Sequence, residues 1–176
     1  MKKIGIVAHG AEGAALCFLT ACHEGSTLLG PHMHPNIVMS AVPMALSLPG
    51  WDADDHSVVG RFLSEGVQQV ADAGADFFVC PDNTAHIGLE QIACDLPLPG
   101  LHIAGVVCHE VSKHGYKQIG LLGTRFTMTG PVYKTACEKR GWNCWFRNSQ
   151  PESYSMPRSL TSFAWESSTQ TQLISS

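Results

Sequence analysis

A chain of 176 residues, 44% of them hydrophobic, can bury a sizeable core and fits the length of one domain. Its formal charge of −4 and its scattered lysines and arginines leave no basic stripe for nucleic acid. No apolar run is long enough to span a membrane, and the stretch after Lys2-Lys3 is too short for a signal-peptide core, so the expected location is cytoplasmic.

The first strand reads Lys3 to Ala8, and the Gly-rich turn His9-Gly10-Ala11-Glu12-Gly13 opens a helix through Ala14, Ala15, Leu16, Phe18 and Leu19. Asn36 to Ser40 reads as a second strand. Pro43 to Asp55, with its prolines and glycine, reads as a loop. Val59, Phe62, Leu63, Val67 and Val70 then recur at helical spacing, with Gly74 as the stop. Phe77 to Cys80 is a continuous apolar strand, the form expected where helices cover both faces of a parallel sheet. His86 to Cys94 reads as a short helix, Pro97 to Gly100 as a break, and Ile103, Val106, Val107 and Val111 as a helix ended by Gly115. Gln118 to Leu122 is a strand, and Pro131 opens a helix through Tyr133, Ala136 and Cys137 that stops at Gly141. This alternation predicts an α/β fold with a doubly wound parallel sheet.

Composition changes near Asn148. From there to Ser176 the chain is rich in Ser, Thr and Gln, has Pro151 and Pro157, and shows no apolar period. Such a segment buries too little apolar surface to offset its ordering entropy, so poor order is expected over 148–176. The division expected is a first α/β unit over 1–102, the start of a second over 103–147, incomplete, and the tail; replacement of a distal half by frameshift, alternative exon or truncation would explain the change.

Chemistry concentrates where Phe77-Phe78-Val79-Cys80 runs into Pro81-Asp82-Asn83-Thr84-Ala85-His86. Open α/β sheets bind ligands at the strand ends, and backbone N–H groups at the following helix start favour a carboxylate. Asp82, Asn83 and Thr84 are either helix caps or ligand-binding groups. Thr124 and Thr127, after the strand Gln118-Ile119-Gly120-Leu121-Leu122 and Gly123, carry the same two readings. His86, one helical turn from Asp82, is a hydrogen-bond partner for it or a core residue. Cys80, inside an apolar strand, reads as a buried thiol. Seven cysteines without a C-x-x-C pair fit reduced side chains. His32, His34, Cys22 and His23 fit no standard zinc spacing, and no metal is expected. Ala8 stands where a dinucleotide turn needs its first glycine, which argues against such a cofactor.

The run Pro81-Asp82-Asn83-Thr84-Ala85-His86, followed by Gly120-Leu121-Leu122-Gly123-Thr124 with Thr127, Gly130 and Tyr133, resembles the aspartate/glutamate racemase family, which works without pyridoxal phosphate. Ile4-Gly5-Ile6-Val7 and His34-Pro35-Asn36-Ile37-Val38-Met39-Ser40 fit the same pattern, and the resemblance covers roughly residues 1 to 147. It implies that Asn83 and Thr84 grip the substrate's carboxylate, that Thr124 and Thr127 meet a second carboxylate, and that the chain forms a homodimer. Asp82 occupies the column of one of the family's two catalytic thiols, which makes it the candidate for α-proton removal. The second thiol motif, Gly-Cys-Thr-Glu-like, has no counterpart.

The reaction implied inverts the α-carbon of an aspartate- or glutamate-like amino acid by removing a proton on one face and returning one on the other, without organic cofactor or metal. Two opposed bases are needed and one is visible, so the chain by itself is expected to racemise little or not at all. The alternatives are a non-catalytic binder of small carboxylates, a truncated protein, or an isomerase or decarboxylase of a small dicarboxylate. The expected partner is a small amino acid or dicarboxylate.

Overall fold

In the computed structural model, which describes residues 1–116, 118–146 and 173–174, β1 (Ile4–Ala8) forms the centre of a parallel sheet. β2 (Ile37–Ala41) lies on one side of it and β3 (Phe77–Val79) on the other, with β4 (Gly100–Leu101) beyond β3. The residues of β1 alternate between two covered faces, as strand geometry requires. Ile6 and Ala8 pack with Ala14 and Cys17 of α1 (Ala11–Leu29). Gly5 and Val7 meet α3 (His56–Asp72): a Cβ on Gly5 would lie 2.7 Å from Val70 Cγ2, and one on Gly66 would lie 3.0 Å from Val7 Cγ1. Helices on both faces explain why these strands are apolar throughout rather than alternating.

α3 begins where the Asp55 side chain accepts from the N–H groups of Ser57 and Val58, an N-cap. Its Val59, Leu63, Val67 and Val70 are buried against Phe78, Cys80, Ala85 and Leu89. α4 (Ala85–Gln91) approaches α3 so closely that a Cβ on Gly60 would collide with the Gly88 carbonyl. Pro43 to Asp55, expected as a loop, instead contains a 3₁₀ turn at Met44–Leu46 and the short helix α2 (Leu48–Asp52). Pro49 in the first turn of α2 is compatible with helix, since that N–H would have no intrahelical partner. Pro97 to Gly100, expected as a break, leads directly into β4, whose Gly100 pairs with Phe78.

The second sheet has β5 (Gln118–Leu121) at its centre, parallel to β6 (Asn143–Phe146) and antiparallel to β7 (Leu173–Ile174). α5 (Ile103–Lys113), α6 (Arg125–Thr129) and α7 (Pro131–Glu138) accompany it. Its core holds Ala104, Cys108, Val111, Leu121, Tyr133 and Cys137, and Ile87 of α4 joins it from the first half. Trp51 packs against both cores. Of the segment after Asn148, Leu173–Ile174 is described, and its backbone pairs with β5; the expectation of poor order for the rest lies outside the described residues. Among the described residues no helix is long and apolar enough to cross a membrane.

Candidate active site

The register of β1 on β3 sets Ile6 opposite Val79. Three residues further along each strand come His9 and Asp82, so sheet pairing alone brings these two side chains to the same edge. His9 Nδ1 lies 2.7 Å from Asp82 Oδ2. The other ring nitrogen, Nε2, lies 2.9 Å from Ser47 Oγ, and the Ser47 hydroxyl donates to the Met44 carbonyl at 2.8 Å. His9 and Ser47 are buried, at 5% and 0% exposure, whereas the Asp82 side chain retains 23%. Asp82 is therefore the member of this chain of contacts that is open to solvent.

Asp82 Oδ1 accepts the backbone N–H groups of Thr84 at 2.9 Å and Ala85 at 3.2 Å. Burial raises the Asp82 carboxyl pKa, but the His9 hydrogen bond and charge, with the two backbone N–H groups, outweigh it and hold the carboxyl below its ordinary value. The amides at the start of α4, expected to favour a bound carboxylate, thus hold the chain's own. The turn after β1 comes against this segment because position 13 is glycine: a Cβ there would lie 2.5 Å from the Pro81 carbonyl oxygen.

Asn83 Oδ1 accepts the Tyr133 hydroxyl at 2.6 Å, a bond that joins the end of β3 to the second core. This fixes the amide's orientation. Thr84 stands half-buried in front of α4 with φ −70° and ψ −36°, and its side chain makes no capping bond. Thr124 caps α6: its Oγ1 accepts the Thr127 N–H at 3.3 Å and lies 3.2 Å from Thr127 Oγ1. Thr127 is buried and Thr124 exposed. Between the two strand ends stands Trp51, its ring 6.2 Å from that of His9, 5.2 Å from His56 and 5.8 Å from Phe126 of α6. The aromatic contact carries α6, and Thr124 with it, to the same side of the molecule as Asp82.

His86 does not pair with Asp82. Its Nε2 lies 3.1 Å from the Cys80 carbonyl, and its ring packs against His102 at 4.6 Å. Helical spacing misleads here because α4 starts at Ala85, and Asp82 lies ahead of it with its carboxylate turned onto the N–H groups of Thr84 and Ala85 and onto His9. Burial, helped by the neighbouring His102, pushes the His86 pKa down to about 4. Cys80 is buried as expected, and desolvation raises its thiol pKa further above its ordinary range, which leaves it inert. Among the described residues no group of three His, Cys, Asp or Glu side chains is placed to hold a metal ion.

His9, Ser47 and Trp51 are the site residues that sequence reasoning missed. His9 carried a signal, since it ends β1 of a sheet whose β3 ends at the Asp82 segment. Ser47 and Trp51 sat in an apparent loop and carried none.

Comparison with known proteins adds an independent line. The family model for Asp/Glu/hydantoin racemase matches residues 14–153. The broad specificity amino-acid racemase RacX of Bacillus subtilis (strain 168) is 31% identical over 87 residues, which are 49% of this chain and 38% of that protein. Among solved structures, a putative Asp/Glu racemase from Yersinia pestis superposes with a TM-score of 0.78 at 26% identity, over 85% of this chain and 66% of that one. An aspartate racemase homologue from Pyrococcus horikoshii OT3, at 24% identity and a TM-score of 0.71 over 85% of this chain and 66% of that one, shares the fold. The chain thus spans less than two thirds of these relatives. Since the family match covers most of the 176 residues, including both strand ends that carry Asp82 and Thr124, the chain belongs to the Asp/Glu/hydantoin racemase family.

Proposed function

We propose that the chain binds a small α-amino acid and exchanges its α-proton through Asp82, one face of an amino-acid racemase reaction. The observation that carries this reading is the placement of Asp82: part-exposed at the β3 end, tied to buried His9, and followed by Asn83 and Thr84. A racemase must remove a very weakly acidic proton and stabilise the enolate-like carboxylate that results, which calls for fixed donors around a base. Asn83 and Thr84 supply those donors, the first held in place by Tyr133. Thr124, exposed at the start of α6, and Thr127 meet the distal end of the substrate, as the resemblance implies. The substrate class is aspartate- or glutamate-like, and the chemistry needs no organic cofactor.

Asp82 alone is a weak base, because its carboxyl lies below the usual carboxylate value. That feature favours the alternative of a small-carboxylate binder without catalysis. Both readings require the same binding groups. Calorimetric titration with aspartate, glutamate and malate should show binding to the wild type that weakens in Asn83→Ala and Thr84→Ala. Loss of one hydrogen bond to a charged ligand group costs about 1.5–3 kcal/mol, or roughly one to two decades in affinity. Thr124→Ala should show a smaller loss. Equal affinities in wild type and all three variants would place the ligand elsewhere.

A further inference from the structure

Three contacts in series, Met44 carbonyl to Ser47 hydroxyl to His9 ring to Asp82 carboxylate, carry information about a proton. A serine hydroxyl has one hydrogen, and that of Ser47 goes to the Met44 carbonyl. Ser47 Oγ therefore acts only as acceptor toward His9, and the 2.9 Å contact requires a hydrogen on Nε2. With that hydrogen in place, a neutral His9 would turn the bare lone pair of Nδ1 toward Asp82 Oδ2, 2.7 Å away. Two facing lone pairs at that distance repel, so the pair holds one further proton between nitrogen and oxygen.

We propose that Ser47 is a positioning residue that locks His9 in its Nε2–H form, so that His9 and Asp82 share a single proton and act as one acid–base unit. The proposal rests on the reading of Asp82 as the group that meets the substrate. The unit becomes a base once its shared proton has passed to solvent water, and Asp82 Oδ2 then takes the α-proton as the C–H bond breaks. The electron pair stays on the substrate as its enolate-like form, and the proton is then shared with His9 Nδ1. The loaded unit reverses these steps and returns the proton to carbon. No oxidant, metal or further reactant enters the balance.

The same three residue types, serine, histidine and aspartate, form the nucleophilic triad of many hydrolases. Ser47 is fully buried and its hydrogen is committed to Met44, so it presents no nucleophile. Other titratable groups near the unit are Cys80 and His86, joined by the contact of His86 Nε2 with the Cys80 carbonyl beside the Asp82 segment, and His56 on the far side of Trp51. Cys80 and His86 are buried and do not carry the shared proton.

Ring nitrogens report their own protonation in long-range ¹H–¹⁵N spectra of the ¹⁵N-labelled full chain, without substrate. At neutral pH the wild type should show His9 Nε2 protonated. Ser47→Ala should lose the Nε2 hydrogen and keep one on Nδ1, donated to Asp82. Asp82→Asn should do the reverse, with Nε2 protonated and Nδ1 bare. A bare Nε2 in the wild type, or a Ser47→Ala spectrum unchanged from wild type, would overturn the proposal. The wild-type spectrum decides by itself if a variant fails to fold. Because substrate turnover is not the readout, failure of the racemase reading leaves this result legible.

Discussion

Replacing Asp82 separates two roles that one carboxylate combines. Its Oδ1 satisfies the N–H groups of Thr84 and Ala85, and its Oδ2 engages His9. Asp82→Ala removes both. A lost helix cap costs about 0.5–2 kcal/mol. A lost hydrogen bond to a charged group costs about 1.5–3 kcal/mol, so the expected total is roughly 2–5 kcal/mol. Asp82→Asn keeps an oxygen for the two amides and loses the charged contact, for about 1.5–3 kcal/mol. Urea denaturation at neutral pH should therefore rank wild type above Asp82→Asn and Asp82→Ala lowest. The pH dependence has a definite sign. Because the folded-state pKa of Asp82 lies below its unfolded value, the stabilisation is full above about pH 3.9 and disappears as pH falls through the lower folded value. The gap between wild type and Asp82→Asn should close in that acid range. Equal stability of all three proteins at neutral pH, or a gap that persists unchanged in acid, would refute the two-role account.

Two other changes probe the surroundings. Tyr133→Phe removes the hydroxyl that donates to Asn83 Oδ1 and should cost about 1 kcal/mol in urea denaturation, while also weakening carboxylate binding, because Asn83 loses its orientation. His86, with a folded-state pKa of about 4 against the usual 6.5, opposes folding in acid: its contribution is full above pH 6.5 and declines as pH falls toward 4. Over that window the wild type should lose on the order of 3 kcal/mol that His86→Gln does not lose, read from urea midpoints at several pH values.

Most of the first sheet was legible because buried parallel strands are written as unbroken apolar runs: Ile4 to Ala8 and Phe77 to Val79 announced themselves. β4 did not, since two residues cannot carry a pattern. α2 was hidden by Pro49 and Gly50, whose helical tolerance depends on a position in the first turn that composition does not reveal. In the site, Asp82, Asn83 and Thr84 stood out as polar residues at the end of an apolar strand. His9 and Ser47 became partners of Asp82 only through register and through the fold-back of the 44–52 segment, both long-range facts. The threonines at 124 and 127 were readable either as caps or as ligand groups; Thr124 does cap α6 by accepting the Thr127 N–H, and the ligand reading of both is a matter for titration.

α-Deuterium uptake in heavy water tests the central claim most directly. Wild type incubated with L- or D-aspartate and glutamate should incorporate deuterium at the α-carbon faster than it inverts the centre, since Asp82 serves one face. Asp82→Asn should lower the uptake by roughly 10²–10⁴-fold, the range expected for removal of a positioned acid–base group. Uptake by Asp82→Asn at the wild-type rate, or none by wild type that binds these amino acids, would contradict the account.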